Sequence, residues 1–239
     1  MVGIRSSGKW SHFLCILVSS FLSAFSSEIE KTEASAKGGN LEAQLDLAQR
    51  YHIGEGLNQD FSKAALWYSK AVEQGNPQAM CNLGVLYLQG QGVAKDENKA
   101  AALMRQAAER GHAQAQYNLG IYLIRGQGVP IDFTQAVVWL RKSAEQGYAL
   151  AMCDLGICYE NGEGVKQNFR EAARWVRKSA EAGWAMGQYQ LAFYYYHGAG
   201  VPKNLRLASE WNQKAVEQGY LPAYELQRAI KSEAVQPEP

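Results

Sequence analysis

Apolar and small residues recur along the chain at two nested periods. From about Glu42 to the first glycine pair, Ala43, Leu47, Ala48 and Tyr51 follow at steps of one, three or four, the pattern that lines one side of an α-helix. The same columns return every 36 residues. Leu47 is followed by Leu83, Leu119, Leu155 and Leu191. Ala48 is followed by Gly84, Gly120, Gly156 and Ala192, and Tyr51 by Tyr87, Leu123, Tyr159 and Tyr195. Ala43 continues as Ala79, Ala115, Ala151, Gly187 and Ala223. A pair Gly-x-Gly closes each stretch, at Gly54, Gly90, Gly126, Gly162 and Gly198, and glycine is the residue that stops a helix in the left-handed conformation. A second apolar stretch follows each pair, with Trp67, Leu103, Trp139, Trp175 and Trp211 in one column.

The pattern predicts two short antiparallel helices per 36-residue unit. The first starts near Glu42, Gln78, Gln114, Leu150 and Met186 and runs to the Gly-x-Gly. The second starts after Asp60, Asp96, Asp132, Asn168 and Asn204, whose side chains accept from the free N–H groups of a helix start, and ends at Gly75 and its equivalents. No single pair buries its apolar side, so the copies must stack. The expected fold is all-α: a superhelical solenoid of five repeats, 40–75, 76–111, 112–147, 148–183 and 184–219. A capping helix over 220–232 follows, made polar by Gln227 and Arg228 in the Leu-Gly columns, and then a disordered tail, 233–239. Residues 27–39 are polar and read as a short flexible lead.

The segments AQYNLGIYLIRGQGVPIDFTQAVVWLRKSAEQG (115–147) and AMCDLGICYENGEGVKQNFREAARWVRKSAEAG (151–183) resemble Sel-1-like repeats, relatives of tetratricopeptide repeats with a longer loop carrying G-x-G-V. The departures are small: Leu57 for the loop valine in the first copy, Leu103-Met104 for Trp-Tyr in the second, and Ala192 for glycine in the fifth. The resemblance implies an α/α superhelix used as a protein-interaction scaffold, often in exported bacterial proteins or in membrane-associated assembly and quality control.

Residues 1–26 break the pattern. Arg5 and Lys9 precede the apolar stretch Phe13 to Leu22, and Ala24 and Ser26 supply small residues at the minus-three and minus-one places of a cleavage site near Ser26. This is the layout of a secretory signal, and the stretch is far short of the ~20 apolar residues of a spanning helix. The chain is therefore expected to be periplasmic or secreted. Cleavage removes two of the 24 basic residues and none of the 23 acidic ones, for a mature net charge of −1. So even a balance excludes a protein that grips nucleic-acid backbones, which needs concentrated positive charge. Export favours disulfides, yet Cys81, Cys153 and Cys158 are an odd set, and Cys153 and Cys158 are five apart on one helix, about 7.5 Å in rise and on different faces. They read as small core or groove residues.

A binding surface follows from helical angles. With the Ala, Leu, Gly/Ala and Tyr columns turned inward, the opposite side of the first helices carries a polar row, Asp46, Asn82, Asn118, Asp154 and Gln190. Beside it lies a row Gln49, Val85, Ile121, Ile157 and Phe193. The polar row suits an extended peptide backbone and the apolar row offers matching pockets. By resemblance to tetratricopeptide proteins this is the concave face where ligand peptides lie. The alternative is that Val85, Ile121 and Ile157 pack against the next repeat's first helix, as Leu45, Cys81, Tyr117, Cys153 and Tyr189 are expected to do. Arg125 and His197, one column further, are candidate specificity residues.

Catalysis finds little support. His12, His52, His112 and His197 are scattered without a second ligand at metal spacing. The Gly-x-Gly pairs follow helices and not strands, which excludes dinucleotide and phosphate loops. Secreted, cysteine-rich relatives have been linked to penicillin binding or β-lactamase activity, so a secreted hydrolase of that type is the rival reading. That chemistry wants Ser with Lys three residues on, and the S-x-x-K here is Ser6–Lys9, inside the targeting segment, with neither S-D-N nor K-T-G elsewhere. The expectation is a non-enzymatic adaptor without cofactor or metal that binds a protein or peptide partner on its concave face.

Overall fold

The structure is a computed structural model and describes residues 27–235. Residues 1–26, expected to be a targeting segment, and residues 236–239 lie outside the described residues. Twelve helices follow one another: α1 (27–37), α2 (Leu41–Ile53), α3 (Phe61–Glu73), α4 (Pro77–Gln89), α5 (Glu97–Glu109), α6 (Ala113–Arg125), α7 (Phe133–Glu145), α8 (Ala149–Asn161), α9 (Phe169–Glu181), α10 (Ala185–His197), α11 (Leu205–Glu217) and α12 (Leu221–Val235). Each helix packs on its neighbours in sequence, and α10 also touches α8 and α12, the arrangement of an all-α solenoid.

Local chemistry sets the helix ends. Asp60, Asp96, Asp132 and Asn204 each accept from the N–H three residues on, at 2.9–3.0 Å, and Asn168 accepts from Arg170 and Glu171. Each such cap contributes roughly 1 kcal/mol. The first helices start one residue earlier than expected, because their caps are Asn40, Asn76, His112, Tyr148 and Trp184.

The Gly-x-Gly loop does two jobs. Gly126, at φ 68°, turns the chain left-handed and returns its N–H to the Tyr122 carbonyl. Gly128 lies so close to the Glu97 carbonyl at the start of α5 that a Cβ there would overlap it. Gly92, Gly164 and Gly200 meet the first residues of α3, α7 and α9 in the same way. The second glycine is thus the joint on which one repeat's loop docks against the preceding repeat. Within each unit the loop is closed by a backbone bond, such as Asp132 N–H to the Leu123 carbonyl at 2.9 Å.

The Leu column is buried, as is the Ala column from Ala79 onward, with Ala43 half-buried at its start, and Cys81, Cys153 and Cys158 are buried free thiols. On the outer side, Lys70, Lys142, Lys178 and Lys214 lie 4.0–4.5 Å over Trp67, Trp139, Trp175 and Trp211, so their stems cover the Trp column.

Two expectations are corrected. The lead 27–39 is mostly helix: α1 presents Ile29, Thr32, Glu33 and Ala36 at helical spacing, Ala36 is buried, and its carbonyl accepts from Gln44 Nε2 at 3.1 Å. Gln116 and Gln188 bond the carbonyls of Ala108 and Ala180 in the same way, so α1 stands where a preceding second helix would. At the other end α12 continues through Val235, and Glu233 pairs with Lys203, so residues 233–235 are helix where a tail was expected.

Candidate interaction face

The polar row does not stand free. Asn118 points its amide at Cys81 Sγ and Met104 Sδ of the preceding repeat, both at 3.8 Å. Asn82 bonds the Tyr68 hydroxyl and accepts from Gln78 at 3.1 Å. Gln190 donates to Glu160 at 3.0 Å, and the Tyr194 hydroxyl reaches the same carboxylate oxygen at 2.7 Å. Asp46 accepts from Arg50 at 2.9 and 3.0 Å through both oxygens. Burial raises the Asp154 carboxyl above its ordinary range, opposed by the Tyr117 hydroxyl bonded to it and by the charge of Arg125. The column sits about 100° from the buried Leu column, one residue on the wheel, and that turns it toward the preceding repeat. Asn82, Asn118, Asp154 and Gln190 are therefore joints between repeats and not a ladder for a ligand backbone.

The apolar row is half-buried where exposure was expected. Val85, Ile121 and Phe193 pack at the edges of core clusters, and Ile157 is equally shielded, while Gln49 is exposed. Arg125 and His197 are exposed at the last residues of α6 and α10, and the His197 ring rests 4.2 Å from Phe193 and 4.8 Å from Tyr196.

Three aromatic residues missing from the expected face join it. Tyr148, Trp184 and Tyr220 immediately precede α8, α10 and α12, one repeat apart. Tyr148 packs on Tyr117 of α6 at 5.3 Å and 48°, and Tyr220 packs on Tyr189 of α10 at 5.4 Å and 49°. Trp184 is 38% exposed. The signal was present in the capping column, which runs Asn40, Asn76, His112 and then turns aromatic. The first three side chains accept a cap bond, and Tyr148 and Trp184 make none. A second signal is a 72-residue period, visible in Gln44/Gln116/Gln188, Cys81/Cys153 and Tyr117/Tyr189.

The model for the Sel1 repeat matches residues 41–76, 77–112, 113–148, 149–184 and 185–220. The chain belongs to the Sel1 repeat family. Among solved structures it is similar to c5321, a protective antigen of uropathogenic Escherichia coli strains with an SLR fold, at 37% identity and TM-score 0.80. That match covers 85% of this chain and 44% of that one, so the chain spans less than half of that protein's length. A Sel1 repeat protein from Oxalobacter formigenes aligns at 32% identity and TM-score 0.75, over 80% of this chain and 76% of that one. A search of curated proteins finds no match.

In this Sel1 solenoid the open face changes character along its length. The column Glu42, Gln78, Gln114 becomes Leu150 and Met186, and Gln49 at one end is matched by Phe193 at the other. Among the described residues, no three His, Cys, Asp or Glu side chains gather as metal ligands. Burial pushes the thiol of Cys81 up to about 11 and those of Cys153 and Cys158 up to about 12, so they remain protonated at neutral pH and are poor nucleophiles. The face offers apolar and aromatic contact area, which suits recognition.

Proposed function

We propose that this Sel1 protein is a non-enzymatic adaptor that binds a segment of a partner protein along the open, concave face of its first helices. The observation that carries the reading is the composition of α8 and α10. Leu150, Ile157, Met186 and Phe193 lie opposite the Leu column and stay half-buried, so α8 and α10 carry apolar side chains on the open side as well as on the sides packed against α7, α9 and α11. Apolar side chains left part-exposed in line on an open helix side mark an interface. The outer face differs, because Lys stems already cover its Trp column.

The adaptor acts outside the cytoplasm, in the cell envelope or the medium. The layout of residues 1–26 supports this, as does the description of the E. coli relative as a protective antigen. Among the described residues no helix is long and apolar enough to cross a membrane.

The test is in-cell photo-crosslinking. A photoreactive side chain at Met186, on the open face, is expected to trap a discrete protein adduct that the same group at Arg174, on the exposed side of α9, does not. Equal adducts from both positions, or adducts from Arg174 alone, would refute the assignment.

A further inference from the structure

The aromatic row has a regular interval. Tyr148, Trp184 and Tyr220 occupy the same place in successive repeats, with Tyr148 and Trp184 sharing one extended backbone conformation, φ −72° with ψ 106° and 120°. Neighbouring first helices touch, α8 and α10 through Glu160, Gln190 and Tyr194. Helices in such contact lie about 8–10 Å apart. A polyproline II helix advances about 3.1 Å per residue with three residues per turn, hence about 9.3 Å per turn. One ring therefore meets each turn. Three rings span about two turns, or roughly six residues of ligand.

Hydrogen bonding selects the same ligand. The Trp184 indole N–H and the hydroxyls of Tyr148 and Tyr220 have no hydrogen-bond partner among the described residues, so the row presents donors. A proline-rich segment is the complement: its carbonyls accept, its proline nitrogens carry no hydrogen, and its preformed helix loses little entropy on binding. Of the carboxylates nearby, Asp154 is engaged by Tyr117 and Glu160 by Gln190 and Tyr194, so neither competes for these donors.

We infer that the face formed by repeats four and five binds a proline-rich partner segment in the polyproline II conformation, with Tyr148, Trp184 and Tyr220 each receiving one turn. This rests on the adaptor reading and names the chemistry of its partner.

Fluorescence anisotropy with labelled decaproline, against a Gly-Ser decapeptide, tests it directly. Saturable binding of decaproline alone is expected, weakened roughly tenfold or more by Trp184→Ala and left unchanged by Leu66→Ser on exposed α3 surface. Tyr220→Ala is the second variant, and circular dichroism checks that each folds. Absence of saturable decaproline binding, or binding insensitive to both aromatic variants, overturns the inference. Selection from a displayed library of random twelve-residue peptides separates the two readings. Enriched peptides that depend on Trp184 and repeat proline every third position support the proposal. Trp184-dependent peptides without that spacing overturn the proline-rich ligand and leave the adaptor standing. A selection with no dependence on this face overturns both.

Discussion

Replacing Gly128 by alanine isolates the joint between repeats. Gly147 is the reference, because both residues have positive φ, 65° and 92°, but a Cβ at Gly147 meets nothing within 4 Å. Each substitution incurs left-handed strain of about 1–2 kcal/mol, and each removes similar freedom from the unfolded chain, so these terms nearly cancel in the comparison. At Gly128 the added Cβ also overlaps the Glu97 carbonyl, which is backbone at the start of α5 and cannot rotate away. Relief requires the loop of the third repeat to back off from the second, at about 1–3 kcal/mol by analogy with overpacked cores. The expected loss is therefore about 1–2 kcal/mol for Gly147→Ala and about 2–5 kcal/mol for Gly128→Ala. Urea unfolding followed by circular dichroism measures both. Since stability in a stacked array is a sum of repeat and interface contributions, Gly128→Ala should also broaden or split the transition. Equal losses for the two variants would refute the docking role of the second loop glycine.

Other predictions concern charge and targeting. Asp154→Asn keeps an acceptor for Tyr117 and removes a carboxyl that burial disfavours when ionised, so it should raise the thermal midpoint at neutral pH. Since the folded-state value is raised, the gain is full above it and vanishes below the ordinary value of about 3.9; a gain that persists at lower pH would contradict the charge argument. His112 caps α6 through Nδ1 while Nε2 bonds Gln78 Oε1 at 2.9 Å, and burial lowers its value below 6.5. Its contribution is present above 6.5 and is lost as pH falls through the lowered value. His112→Asn, the residue type found at positions 40 and 76, should keep the cap and flatten part of the acid slope, whereas His112→Ala should cost about 0.5–2 kcal/mol at neutral pH by urea unfolding. N-terminal sequencing of the mature chain should begin just after Ser26; a chain starting at Met1 would refute cleavage.

The helices of this solenoid were legible in the sequence because their ends are decided locally. An Asp or Asn before a helix and a glycine after it act within a few residues, and five copies in register remove chance. Helix α1 was not legible in the same way. It keeps only Ile29, Thr32, Glu33 and Ala36 of an inward stripe, and its glutamates and lysines resemble a solvated lead. The face was half legible. Helical angles correctly turned the Leu column inward, but a wheel describes one helix and says nothing of which sides its neighbours occupy. Asn118 looked free on its own helix and is spent on Cys81 and Met104 of the repeat before it.

The same limit points to where specificity resides. Positions that keep one residue type through all five copies, such as the Leu column, serve a packing requirement that recurs in every repeat. Positions that change along the array cannot serve a requirement common to every joint. The capping column changes from Asn and His to Tyr and Trp, giving up its cap bonds in α8 and α10. Each lost cap costs roughly 1 kcal/mol, and the pairing of Tyr148 with Tyr117 returns part of it. Trp184 has no such ring beneath it, since its counterpart in α8 is Cys153. It therefore gives up the cap and remains 38% exposed. On the proposed adaptor reading, contact with a partner would account for a ring in that position, which is why Trp184 and not the more deeply packed Phe193 is the residue on which recognition should turn.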